Sequence, residues 1–167
     1  MKTEPKIFVI GMGNILLSDE GAGVRAVERL MASHTFPANV QLIDGGTTAM
    51  KGLLPLVEEA DHVIALDTVN GPGGPGALYR YDASEFRRNI PKKISAHDIG
   101  FLECLAIAEV NGRAPESVVI LGIQPADIST PSMELSPEVK AGLDGLCAMA
   151  VKELERLGVA GEPLNPS

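Results

Sequence analysis

Apolar runs of strand length, set between segments of helical period, constrain this chain more than any other feature. Val63-Ile64-Ala65-Leu66 and Val118-Val119-Ile120-Leu121 carry no polar residue at alternate positions, as strands covered on both faces require. Strands are expected over 6–11, 39–43, 61–67 and 117–123. Residues 77–82 alternate instead and read as an edge strand or hairpin arm with one wet face. Helices are expected over 21–33, 48–59, 98–111 and 136–157, each burying one stripe, such as Leu143, Leu146, Ala150 and Leu154 in the last. Ser136-Pro137 suits a helix start, and Gly158 the residue past its end. Strands alternating with helices predict an α/β three-layer sandwich: a mainly parallel, twisted sheet of about five strands with helices on both faces. Residues 69–76 and 125–135 are irregular loops, and from about Gly158 the composition is that of a tail. One domain is expected over 1–167, with its core over about 6–157.

The 167 residues, 45% hydrophobic, suffice for one full core. With 14 basic and 22 acidic residues the net charge is −8, and no run of Lys or Arg marks a nucleic-acid or anionic-lipid surface. No apolar stretch is long enough to span a bilayer, and the N-terminus lacks a signal-peptide pattern. Cys104 and Cys147 lie far apart on helical faces, where core packing is the expected role rather than a disulfide. A cytoplasmic protein follows from these features.

Chemistry gathers after the first strand, in Gly11-Met12-Gly13-Asn14-Ile15-Leu16-Leu17-Ser18-Asp19-Glu20-Gly21. Glycines at that place usually cradle a phosphate at a helix N-terminus. Asp19 and Glu20 stand where the phosphate would sit and would repel it, so a metal-facing loop is the better reading. Leu16 also replaces the third glycine of the dinucleotide fingerprint. In an open parallel sheet the functional crevice lies beyond the carboxyl ends of the strands. Asp44-Gly45-Gly46 follows the second strand, Asp67 ends the third, and His97 opens the third helix. Glu20, Asp67 and His97 together supply two carboxylates and an imidazole, a donor set for a divalent ion with open positions.

Each has a plainer alternative. Asp19 and Glu20 suit helix N-terminal amides, Asp44 a turn, Asp67 a structural hydrogen bond, and His97 an exposed first helical turn. His34 and His62 read as surface residues. No nucleophile elbow, zinc helix or phosphate loop occurs in the chain.

In order and spacing, these motifs resemble those of the nickel–iron hydrogenase maturation endopeptidases. The resemblance rests on Gly11–Gly21, Leu42-Ile43-Asp44-Gly45-Gly46-Thr47, Ala65-Leu66-Asp67 and Ile94-Ser95-Ala96-His97-Asp98-Ile99-Gly100. It continues through Val119-Ile120-Leu121-Gly122-Ile123-Gln124-Pro125 and Leu135-Ser136-Pro137-Glu138-Val139. It implies removal of a C-terminal extension from the hydrogenase large-subunit precursor after nickel insertion. Glu20, Asp67 and His97 match the family's metal-contacting residues. The nickel is implied to arrive with the substrate, and other divalent metals could occupy the site in the isolated protein. Asp98 departs from the family's more usual Gln and bears on how His97 is oriented. Asp44 and Asp19 are further candidates for orienting a ligand or taking a proton. A monomer acting on the precursor, with no nucleic acid or membrane partner, is expected. Two rivals are a non-catalytic, nickel-sensing chaperone and a nucleotide-binding oxidoreductase on the same sheet.

Overall fold

All six residues of the first strand, β1 (Ile7–Met12), are buried, which requires a neighbouring layer on each face. The computed structural model describes residues 3–46, 50–83 and 96–164, and of residues 50, 51 and 96–99 the backbone alone. The sheet order is β3-β1-β4-β6-β5. Strands β3 (Val40–Gly46), β4 (His62–Thr68) and β6 (Ser117–Ile123) run parallel to β1, and β5 (Leu78–Asp82) is the antiparallel edge. The predicted three-layer α/β sandwich is therefore present, with the alternating segment at the edge.

The pleat sends successive side chains to opposite layers. Ile7, Val9, Leu66 and Leu121 join Ala26, Val27 and Leu30 of α1 (Ala22–Ser33) and Leu143, Leu146 and Leu154 of α4 (Pro137–Arg156). Phe8, Ile10, Ala65 and Ile120 join Leu53 and Val57 of α2 (Met50–Glu59) and Phe101 and Leu105 of α3 (Ala96–Val110). Each fully buried aliphatic side chain contributes roughly 1.5–3 kcal/mol. That is the scale needed against ~1–2 kcal/mol per residue of backbone ordering. Cys104 and Cys147 are free and buried; burial raises the Cys147 thiol to about 11, so it behaves as a small apolar residue.

Three local departures from the sequence reading matter. The first helix is preceded by a short 3₁₀ turn, Ser18–Gly21, and begins at Ala22. Strand β3 continues through Asp44 to Gly46 with a bulge opposite Gly11 and Met12, so Asp44 is a strand residue rather than a turn residue. Finally, the chain beyond Gly158 turns back onto the body. Gly158 takes φ +82°, the left-handed conformation that ends many helices. Val159 is then buried, and β7 (Glu162–Pro163) pairs antiparallel with β2 (His34–Thr35). Leu164 N–H donates to the Ser33 carbonyl at 2.8 Å.

The two histidines read as surface residues are half-buried and bonded. His34 Nδ1 pairs with Ser33 Oγ at 2.8 Å. His62 Nδ1 pairs with Ser117 Oγ at 2.7 Å, across the β4–β6 pair. The edge strand is fastened through Glu153, which is 6% exposed. It accepts from Arg80 Nε at 2.5 Å and Arg156 Nη1 at 2.6 Å.

Gly23 sets how closely α1 sits on the sheet: a Cβ there would run into the carbonyl oxygens of Leu66 and Met12. Gly23→Ala is therefore expected to force α1 outward. A loss of about 1–3 kcal/mol in urea unfolding is the expected outcome, and an unchanged midpoint would show that the helix can shift at no cost.

Candidate active site

The strand order creates one crevice. From β1 the chain crosses to β3 by way of α1 on one face, and from β4 it leads to β6 by way of α3 on the other. Loops leaving the carboxyl ends of β1 and β4 therefore diverge, and ligands bind open parallel sheets where this happens. The register places Gly11 opposite Asp44 and Leu66, and Leu66 opposite Leu121. Asp44, Asp67 and the turn after β1 thus share the carboxyl rim.

Glu20 lies half-buried in the 3₁₀ turn, which packs against β4. Gly13 makes this possible: its φ is +119°, and a Cβ on it would collide with the Glu20 carbonyl oxygen. Asp67 is the next-to-last residue of β4, 2% exposed, and its Oδ1 accepts the Thr68 N–H at 2.8 Å. Alternation with Val63 and Ala65 assigns Asp67 to the layer of α2 and α3. Asp44 is exposed on the same rim.

The backbone of His97 lies in the first turn of α3; its side chain, like that of Asp98, is outside the described residues. Helix direction locates that turn. Asn111, just past the end of α3, donates to Glu58 near the end of α2, and Glu116 N–H donates to the Asp61 carbonyl just ahead of β4. The C-terminus of α3 is thus at the amino edge of the sheet. Its 15 residues span about 22 Å, close to the ~23 Å of a seven-residue strand. The first turn consequently reaches the carboxyl edge, on Asp67's face. Among the described residues no three His, Cys, Asp or Glu side chains form a metal-sized group.

Asp19 is placed differently from its neighbour. It is fully buried and makes no capping bond to the helix that follows. Oδ2 accepts from Ala126 N–H at 2.8 Å, Asp127 N–H at 3.0 Å and Ser136 Oγ at 2.8 Å, and Oδ1 from Ser136 N–H at 2.7 Å. Ser136 is itself the N-cap of α4. Asp19 N–H donates in return to the Asp127 carbonyl at 2.9 Å. The structure gives this carboxylate a fastening task, binding the first loop to residues 126–136. Ser18 reinforces it from a left-handed backbone, φ +54°. Its N–H reaches the Ser132 carbonyl at 2.8 Å and its hydroxyl the Thr130 carbonyl at 2.6 Å. These bonds offset a strain of about 1 kcal/mol or more.

One organiser was not assigned a role from sequence. Gln124, 7% exposed at the end of β6, accepts at Oε1 from Gly71 N–H at 2.7 Å and Tyr79 OH at 3.0 Å. Its Nε2 donates to Asn70 Oδ1 at 2.5 Å. The Gly/Pro loop 69–76 is therefore held onto the rim. The available signal was the same as for Asp67, a polar residue closing an apolar strand, because a buried amide must find partners.

A model of the hydrogenase maturation protease family matches residues 24–153. The chain belongs to this family. It is 39% identical over 157 residues to the hydrogenase expression/formation protein HupD of Rhodobacter capsulatus, covering 92% of this chain and 73% of that one. It is 33% identical to the hydrogenase 2 maturation protease of Escherichia coli K12, covering 95% and 96%. The solved hydrogenase maturating endopeptidase HybD from E. coli superposes with a TM-score of 0.90 at 32% identity, covering 97% and 99%. This hydrogenase maturation protease is accordingly a peptidase. No helix among its described residues is long and apolar enough to cross a membrane.

Two outcomes test the fastenings. Asp19→Asn keeps the shape but turns amide hydrogens toward the N–H donors, and is expected to cost roughly 2–4 kcal/mol, read by urea unfolding. Asp127 accepts from the Thr130 hydroxyl and from the Ser129 and Thr130 N–H groups within its own turn, and these bonds, the hydroxyl's first, lower its carboxyl from 3.8 to about 2. Because the folded value is depressed, its stabilisation is complete above about pH 4 and is lost as pH falls through about 2. A carboxyl NMR titration with its midpoint near the ordinary value would contradict this turn.

Proposed function

We propose that this peptidase removes the C-terminal extension from the nickel–iron hydrogenase large-subunit precursor after nickel insertion. In this reading Glu20, Asp67 and His97 contact the nickel that the precursor carries, and the protein works as a monomer in the cytoplasm. The observation that carries the reading is the crevice between β1 and β4. Glu20 arrives there on the turn after β1, Asp67 on the end of β4, and the α3 turn containing His97 reaches the same edge.

Amide hydrolysis needs a water deprotonated as it attacks the carbonyl carbon, and a proton for the departing amine. A divalent ion at the scissile bond lowers the water's pKa and polarises the carbonyl. The chain's own contribution is to orient and to move protons. Asp67, held by Thr68 N–H, and half-buried Glu20 are oxygen donors for a hard or borderline cation and carboxylates able to take a proton from water. Asp44, exposed on the rim, is the accessible carboxylate for proton exchange with solvent. Asp19, with four hydrogen bonds, serves to hold this arrangement. Selectivity for loaded precursor follows in this reading because the donors engage only when the substrate brings its metal.

The test is incubation with nickel-loaded and nickel-free precursor, with products weighed by mass spectrometry. Shortening is expected in the loaded sample alone. Glu20→Gln, Asp67→Asn and His97→Ala are each expected to lower kcat by roughly a hundredfold or more. Normal processing by all three variants would overturn the assignment, and tight binding without any cut by the intact protein would favour the chaperone alternative.

A further inference from the structure

Leu16, Ile128 and Met133 are large apolar side chains left 58%, 44% and 58% exposed. All three stand on the two loops that Ser18 and Asp19 bind together. Ser132 N–H donates to the Leu16 carbonyl at 3.0 Å and Ser18 N–H to the Ser132 carbonyl at 2.8 Å, so Leu16 and Met133 flank one bridge between the loops. Asp127 Oδ1 accepts from Ser129 and Thr130 N–H at 2.9 and 3.0 Å, closing the turn around Ile128. Scattered apolar residues on a surface need no explanation, but a group of them on one firmly bonded platform marks an interaction site.

Position argues for what covers it. Glu20 N–H donates to the Leu17 carbonyl at 3.2 Å, so the platform abuts the rim. Met133 also borders a groove of about 430 Å³ between α1 and α4, with Ala32, Leu135 and Leu143 on its walls. Charge narrows the partner further. Carboxylates adjoin the apolar group at Glu20, Asp127 and Glu134, while Arg25, Arg29 and Lys140 line the groove, Arg25 paired with Glu28 at 3.0 Å and Arg29 with Asp144. The complementary surface is apolar, with basic side chains toward the rim and acidic ones toward the groove.

We infer that the loop pair 14–18 and 126–135 is a preformed docking face for the folded body of the protein substrate, gripped by Leu16, Ile128 and Met133. This rests on the proposed cleavage of a hydrogenase precursor at the adjoining rim. The bonds made by Ser18, Asp19 and Asp127 order the platform before the substrate arrives, so little ordering entropy is lost on association. Apolar anchors at the centre of such interfaces carry much of the affinity.

The test is the triple variant Leu16→Ser, Ile128→Ser, Met133→Ser, compared with the unaltered protein on nickel-loaded precursor. Expected are a rise of at least about tenfold in the Kd measured calorimetrically and in KM, with kcat within about twofold. An unchanged Kd would overturn the inference. If the triple variant melts lower, Leu16→Ser and Met133→Ser are measured singly, each expected to weaken binding about threefold, and equal affinity again overturns it. Sedimentation of the protein alone separates the other occupant: a dimer that the triple variant abolishes would assign the face to a second copy. Binding that depends on the patch without any cleavage would sink the catalytic reading and leave the docking face standing. Cleavage with patch-independent binding would do the reverse.

Discussion

The Asp19 carboxylate takes its hydrogen bonds from Ala126, Asp127 and Ser136, residues more than a hundred positions further along the chain. It is fully buried, and burial of a carboxylate is tolerated only when such donors replace hydration. Three things then depend on one side chain: the path of the first loop, the path of residues 126–135, and the start of α4 through Ser136. Glu20 is the next residue, so the same bonds decide where it stands.

The opposite side of the rim is ordered by a neutral group. Gln124 fixes the Gly/Pro loop through Gly71, Asn70 and Tyr79, and Tyr79 OH in turn accepts the Gly73 N–H at 2.7 Å. Glycine and proline alone do not make a loop rigid; a buried acceptor shared by several donors does. The crevice between β1 and β4 is thus bordered by two loops held from beneath, one by a carboxylate and one by an amide. That division suits a site proposed to receive a charged metal centre, since the Asp19 carboxylate is engaged by the distant loop while Glu20, Asp67 and Asp44 share the rim.

Much of the fold was legible because the two cores are built by simple periodicities. A two-residue repeat with both phases apolar forced Val63–Leu66 and Val118–Leu121 inside, and helical stripes supplied the covering layers. Alternation placed the 78–82 segment at the edge. Less legible were features fixed by long-range contacts. Nothing near Asp44 announces that β3 continues to a bulge there, since the bulge arises from pairing with Gly11 and Met12. The residues after Gly158 look like a tail because their pairing partner, His34-Thr35, lies at the far end of the chain.

The site was legible to a different depth. The sequence by itself determined that acidic residues and a histidine follow the strands, because strand ends are where polar side chains interrupt apolar runs. Their types identify a peptidase family once order and spacing are taken together. It could not separate Asp19 from Glu20, adjacent residues of the same chemistry. Tertiary structure decided that: the 3₁₀ turn points one carboxylate into a set of amides from a distant loop and leaves the other at the rim. A sequence records which groups exist, whereas only the packed chain determines which of them is buried against a distant loop and which stands at the rim.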